Sequence, residues 1–133
     1  MAIANLTERM LFCTLQKSNL NLQLSNIQMT QLTATRKASE AQLEYNQNLK
    51  TLYNDPNVGY KANPDDYVQY LVELQNEHEL EMANLTSWES QIENQKEQIE
   101  AKLAEITQYE NSWQSLLKNN IQRDFQYGGK SGG

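Results

Sequence analysis

Residues 1–58 contain no glycine, and residues 60–127 contain none either. Gly59 stands alone between them, and the other four glycines crowd into the last six positions. Most β folds need frequent tight turns, and glycine is the residue that turns them most cheaply. A chain with two such stretches has one place to turn and must otherwise run on. The same gap excludes any glycine-rich loop able to cradle a phosphate.

What fills the stretches is a helical period. Leu20, Leu24, Ile27, Gln31, Ala34, Ala38, Ala41, Tyr45, Leu49 and Leu52 follow in steps of three and four. This is a heptad seam with one irregular step. A second row, Leu15, Leu22 and Met29 with Leu43 further on, flanks it. Before residue 33 the first helix therefore has two apolar faces, and a helix with two faces asks for more than one neighbour. The alanines at 34, 38 and 41 would let a partner helix come close. Cys13 shares a face with Leu6 and Met10 and reads as a small buried hydrophobe.

The chain stops being helical where proline requires it. Asn54-Asp55-Pro56 ends the first helix, because the residue before proline is pushed out of the helical region. Asn63-Pro64-Asp65-Asp66 starts the second. Asparagine caps, proline takes the first helical position, and two acids meet the positive end of the helix dipole. Asn5-Leu6-Thr7-Glu8 has the form of a capping box for the first helix. These signals predict helices at about 5–53 and 64–125, a loop at about 54–63 and a flexible tail at 126–133.

The second seam reads Tyr67, Leu71, Leu74, His78, Glu81, Leu85, Trp88, Ile92, Gln95 and Ile99, then Leu103, Ile106, Tyr109, Trp113, Leu117 and Ile121. Thr86-Ser87-Trp88-Glu89 has capping-box form, so a break near residue 84 competes with an unbroken helix. The predicted fold is all-α, a long antiparallel helical hairpin of coiled-coil type, completed by oligomerisation. Its internal seam joins Leu20, Leu24, Ile27, Leu49 and Leu52 to Leu71, Leu74, Leu85, Trp88, Ile92, Ile99 and Leu103. Folding at the loop pairs Leu49 with about Leu71 and Leu20 with about Ile99. The second helix would then overhang the first by about a dozen residues. Leu15, Leu22 and Met29, with Trp113, Leu116, Leu117, Ile121 and Phe125 of the overhang, become candidate contacts between chains.

Charge narrows the partners. The net charge is −6, from 11 Lys and Arg against 17 Asp and Glu. The acids concentrate at 61–105, where eleven face three lysines, and both ends are polar but nearly neutral. There is no basic stripe for a nucleic acid. No apolar run approaches the roughly 20 residues that span a bilayer. The first residues lack the basic and apolar blocks of a secretory signal, which predicts a cytoplasmic protein or export by a route independent of a signal peptide.

Catalytic chemistry finds no constellation. There is one Cys and one His, too few for a zinc cluster or a Cys/His nucleophile pair. His78 has only Glu77, Glu79 and Glu81 beside it and reads as a seam or surface histidine. Asp55-Pro56-Asn57-Val58-Gly59 lacks the ligand spacing of a calcium loop. Glu89, Glu93, Glu97 and Glu100 line a helix face without the Glu-x-x-His pair of a di-metal bundle. The sequence thus predicts no catalytic, metal or cofactor-binding residue and no small-molecule substrate. The expected partners are its own copies or other helical proteins.

Two long helices joined by a short Asn/Asp/Pro/Gly loop, with charge-poor Asn-, Gln-, Ser-, Thr- and Leu-rich stretches at 15–32 and 106–125, form a recognisable pattern. It resembles the helical-hairpin axial and needle-type subunits of flagellar-type secretion systems. That resemblance is one of pattern and carries over no individual residues. It implies low-charge helices packed into a tubular wall, and a phage or cell-envelope structural component would show the same pattern. A small acidic helical chaperone or adaptor that holds a partner's amphipathic helices is the alternative expectation.

Overall fold

The computed structural model describes residues 2–131, with side-chain surroundings given for 2–126. Helices α1 (Ile3–Tyr53) and α2 (Pro64–Ser131) pack against each other as an all-α hairpin, with no strand among the described residues. The chain divides into two units. One is Gln28–Asn94, which holds the loop; the other combines Met1–Ile27 with Gln95–Gly133.

In the loop unit, α1 ends through local chemistry. The Asp55 Oδ1 atom accepts the backbone N–H groups of Asn57 (2.8 Å) and Val58 (3.1 Å), closing an Asx turn. These two bonds, Asn57 first, hold the Asp55 carboxyl below its ordinary range. Gly59 is buried because no side chain fits there. A β-carbon on it would collide with the Asp55 carbonyl and lie 2.7 Å from the Tyr53 carbonyl. The close approach, not an unusual φ, makes this glycine necessary. Tyr60 stacks on Tyr53 at 5.5 Å, and Tyr67 meets both edge-on.

Asn63 starts α2. Its Oδ1 accepts the Asp66 N–H at 3.3 Å, and its Nδ2 donates to the Asp66 carboxylate at 2.8 Å. The Tyr67 N–H donates to the Asn63 carbonyl at 2.9 Å as the first turn closes. Past the loop, Tyr45 lies flat on His78, with ring centroids 3.9 Å apart. Ala34, Ala41 and Ile92 are buried. Small alanines let the backbones close in, so that Ile92 is only 2% exposed.

In the other unit the core is Leu6, Cys13, Leu20 and Ile99. Each large aliphatic side chain there is worth about 1.5–3 kcal/mol of transfer free energy. The half-buried Met10, Lys17, Leu24 and Ile27 complete the same face of α1. Lys17 reaches Glu110 at 3.5 Å, and the Arg9 guanidinium sits 4.9 Å over the Trp113 ring.

Several expectations are corrected. Asn5 lies inside α1 and caps nothing; the Leu6 N–H already donates to the Ala2 carbonyl, and the Thr7 hydroxyl donates to the Ile3 carbonyl at 2.9 Å. Helix α2 runs without a break through residue 84. The Thr86 capping box is not used, because the preceding turn is already helical and leaves no free N–H to cap. The expected tail at 126–133 falls mostly on side chains outside those described; the α2 backbone continues to Ser131, and Gly132 and Gly133 lie outside the described residues.

The pairing also shifts. Tyr53 touches Tyr67 near the loop, as the expected register requires. Farther along, Tyr45 meets His78, Lys37 meets Trp88 and Gln31 meets Glu93. These partners lie about one turn later on α2 than a Leu49–Leu71 register implies. In the other unit the side-chain tips of Lys17 and Glu110 meet at 3.5 Å, and Leu20 and Ile99 are both buried. Four positions of the expected α2 seam give way to a neighbour. Met82, Lys96, Glu110 and Asn120 are half-buried, whereas Glu81, Gln95, Tyr109 and Ile121 are exposed. Each exchange reverses the order of one three- and one four-residue step between the same neighbours, so His78, Leu85, Ile92 and Ile99 stay on the seam.

Candidate interaction surface

Each unit presents a different surface. In the unit formed by Met1–Ile27 and Gln95–Gly133, the core takes one face of α1, and Leu11, Phe12, Leu15 and Leu22 stand outside it. Leu15 and Leu22 are 60% and 62% exposed. They lie two residues after Cys13 and Leu20, a rotation of about 200°, so they occupy the face opposite the seam. Leu116, Ile121 and Phe125 of α2 are exposed in the same unit. Trp113 and Leu117 are half-buried, and Trp113 carries Arg9 over its ring. These two belong to the packing within the chain, not to a bare overhang.

This surface is short of charge. From Met10 to Thr35 the only charged residue is Lys17, and it is occupied by Glu110. An exposed face of Leu, Phe, Asn, Gln, Ser and Thr has no strongly hydrated group to hold it in water.

The loop unit carries its own exposed apolar residues, Met29, Leu32, Leu43, Val68, Val72 and Leu80, scattered among acids. Four basic residues there face eleven acidic ones, a net charge of −7, against +1 for the other unit. A groove of about 440 Å³ there is lined by Leu80, Leu85 and Trp88 with Lys37, Glu77 and Glu81. The Lys37 ammonium lies 5.5 Å from the Trp88 ring centroid. Of the expected seam, Leu24, Ile27, Leu49, Leu52, Leu71, Leu74, Leu85, Trp88 and Leu103 are half-buried, and Leu20, Ile92 and Ile99 are buried.

Cys13 is 4% exposed, and the cations flanking it in sequence turn elsewhere, Arg9 to Trp113 and Lys17 to Glu110. His78 keeps its Nδ1 atom buried without a hydrogen-bond partner, stacked on Tyr45. Among the described residues, no group of three or more His, Cys, Asp or Glu side chains is placed to hold a metal ion. Among those residues, no helix is long and apolar enough to cross a membrane. No protein-family model matches the chain, and the comparisons with curated proteins and with solved structures return no match. Sequence reasoning named Leu15, Leu22 and Met29 on the outer face but missed Leu11, Phe12 and Leu32. The signal was there: Leu11 and Leu32 continue the three-four spacing of that row.

Proposed function

We propose that this chain is a non-enzymatic structural protein, a hairpin subunit that assembles with its own copies through its low-charge terminal helices. One observation carries the reading. The α1 face opposite the internal core presents Leu15 and Leu22 to solvent in a stretch almost free of charge. Keeping such a face in water is costly, and burying it against a like surface removes the cost. The likeness in pattern to axial and needle-type subunits points the same way. Light scattering coupled to size exclusion over a concentration series tests the reading, with negative-stain microscopy of the largest fraction. Growth with concentration supports it; one monomeric mass at every concentration sinks it.

One observation favours a second reading, an adaptor for a partner's amphipathic helix. The groove at Leu80, Leu85 and Trp88 lies in the acidic unit and is open to a ligand helix with basic flanks. Trp88→Ala would then abolish capture of such a helix without altering self-association.

A further inference from the structure

The outer face of α1 reads the same in both directions. Because α1 is one helix from Ile3 to Tyr53, spacing in sequence decides which residues share a face. Beginning at Leu11, steps of four and three pick out Leu, Leu, Ser, Leu, Ser, Met and Leu, ending at Leu32. Leu22 is the centre. Ser18 and Ser25 flank it, Leu15 mirrors Met29, and Leu11 mirrors Leu32. The large members are between 58% and 68% exposed. One further step at each end reaches Glu8 and Arg36, both exposed and of opposite charge.

We propose that this face is a second coiled-coil seam whose partner is the same seam on a second copy, run antiparallel about a two-fold axis close to Leu22. The inference rests on the self-assembly reading and names its surface. A two-fold contact demands a patch complementary to itself, and a palindromic row supplies one. The ends choose the direction. Antiparallel, Glu8 of each copy approaches Arg36 of the other. Parallel, glutamate faces glutamate and arginine faces arginine, and like charges oppose pairing. The uncharged stretch 18–35 carries nothing that repels an identical copy.

The experiment uses the full chain. Leu22→Lys alters an exposed residue, so helicity by circular dichroism stays unchanged while the dissociation constant measured by light scattering rises at least about tenfold, as for a central interface residue. Glu8→Arg and Arg36→Glu each weaken association, and the two combined restore it. With Cys13→Ala as background, a mixture of Leu11→Cys and Leu32→Cys chains gives the mixed 11–32 product with a short bis-maleimide. Products 11–11 and 32–32 in place of it overturn the antiparallel contact. An assembly that ignores Leu22→Lys and shows no charge rescue overturns this seam while leaving self-assembly through another face standing. A monomer at every concentration overturns both.

Discussion

The unit around the loop and the unit built from the two chain ends solve the same problem with different chemistry. Around the loop, polar and aromatic groups specify the geometry. Asp55 gathers two N–H groups, Asn63 caps α2, Gly59 admits a close backbone contact, and the rings of Tyr53, Tyr60 and Tyr67 pack against one another. In the other unit a thin apolar row, Leu6, Cys13, Leu20 and Ile99, is supported by one ion pair and one cation–π contact. The first unit satisfies the polar groups of its turn internally, while the His78 Nδ1 atom farther along stays without a partner. The second leaves an apolar face of α1 uncovered. The difference teaches where specificity within the chain ends and where a partner becomes necessary: a two-helix packing buries one stripe per helix, and α1 has two.

The largest expected effects come from the cores. Ile92→Ala in the loop unit and Leu6→Ala in the other should each cost about 2–4 kcal/mol in urea unfolding. If the loop unit is the better specified, Ile92→Ala lowers the transition as a whole, whereas Leu6→Ala loosens hydrogen-exchange protection mainly at residues 3–27. Equal loss of protection in both units after Leu6→Ala would erase the distinction.

Next comes Gly59→Ala, which forces the backbone at Asp55 and Tyr53 to move and should cost about 1–3 kcal/mol. An unchanged melting temperature would show that the loop yields and is not a specifying element.

A smaller effect belongs to Lys17–Glu110, whose side chains are 33% and 18% exposed. Lys17→Met should shift stability by less than about 1 kcal/mol, and the difference should shrink in high salt. A shift that persists at 1 M salt would assign it to packing of the lysine stem.

The smallest is a pH effect at Asp55. Its carboxyl is held low by the Asn57 and Val58 N–H groups. A lowered folded value means that the stabilisation is present above the ordinary aspartate range, and is lost as pH falls from about 4 through the folded value. Amide exchange at Asn57 and Val58 should accelerate over that interval, and Asp55→Asn should remove the dependence. No acceleration would separate the turn from the charge.

The all-α hairpin and its turning point were legible because they depend on residues close in sequence. Pro56, Gly59 and Asn63-Pro64 act locally, and the three-four spacing of Leu20, Leu24 and Ile27 marks a face whatever it packs against. The outer row was visible through Leu15 and Leu22 for the same reason. Register was not legible. A repeat of three and four is satisfied almost equally when one helix slides by a turn, so periodicity alone cannot choose between Tyr45 beside Gln75 and Tyr45 beside His78. The choice belongs to pairs far apart in sequence: Tyr45 flat on His78, Arg9 over Trp113, Lys17 on Glu110.

By itself, then, the sequence determined two helices, one turn and two apolar faces on α1, since each follows from bonding within a few residues. Only the tertiary structure decided which residues of α2 fill the seam. It admitted Met82, Lys96, Glu110 and Asn120 and turned Glu81, Gln95, Tyr109 and Ile121 outward. The physical reason is that a helix face is set by local geometry, whereas the level at which two faces meet is set by the sum of contacts along both.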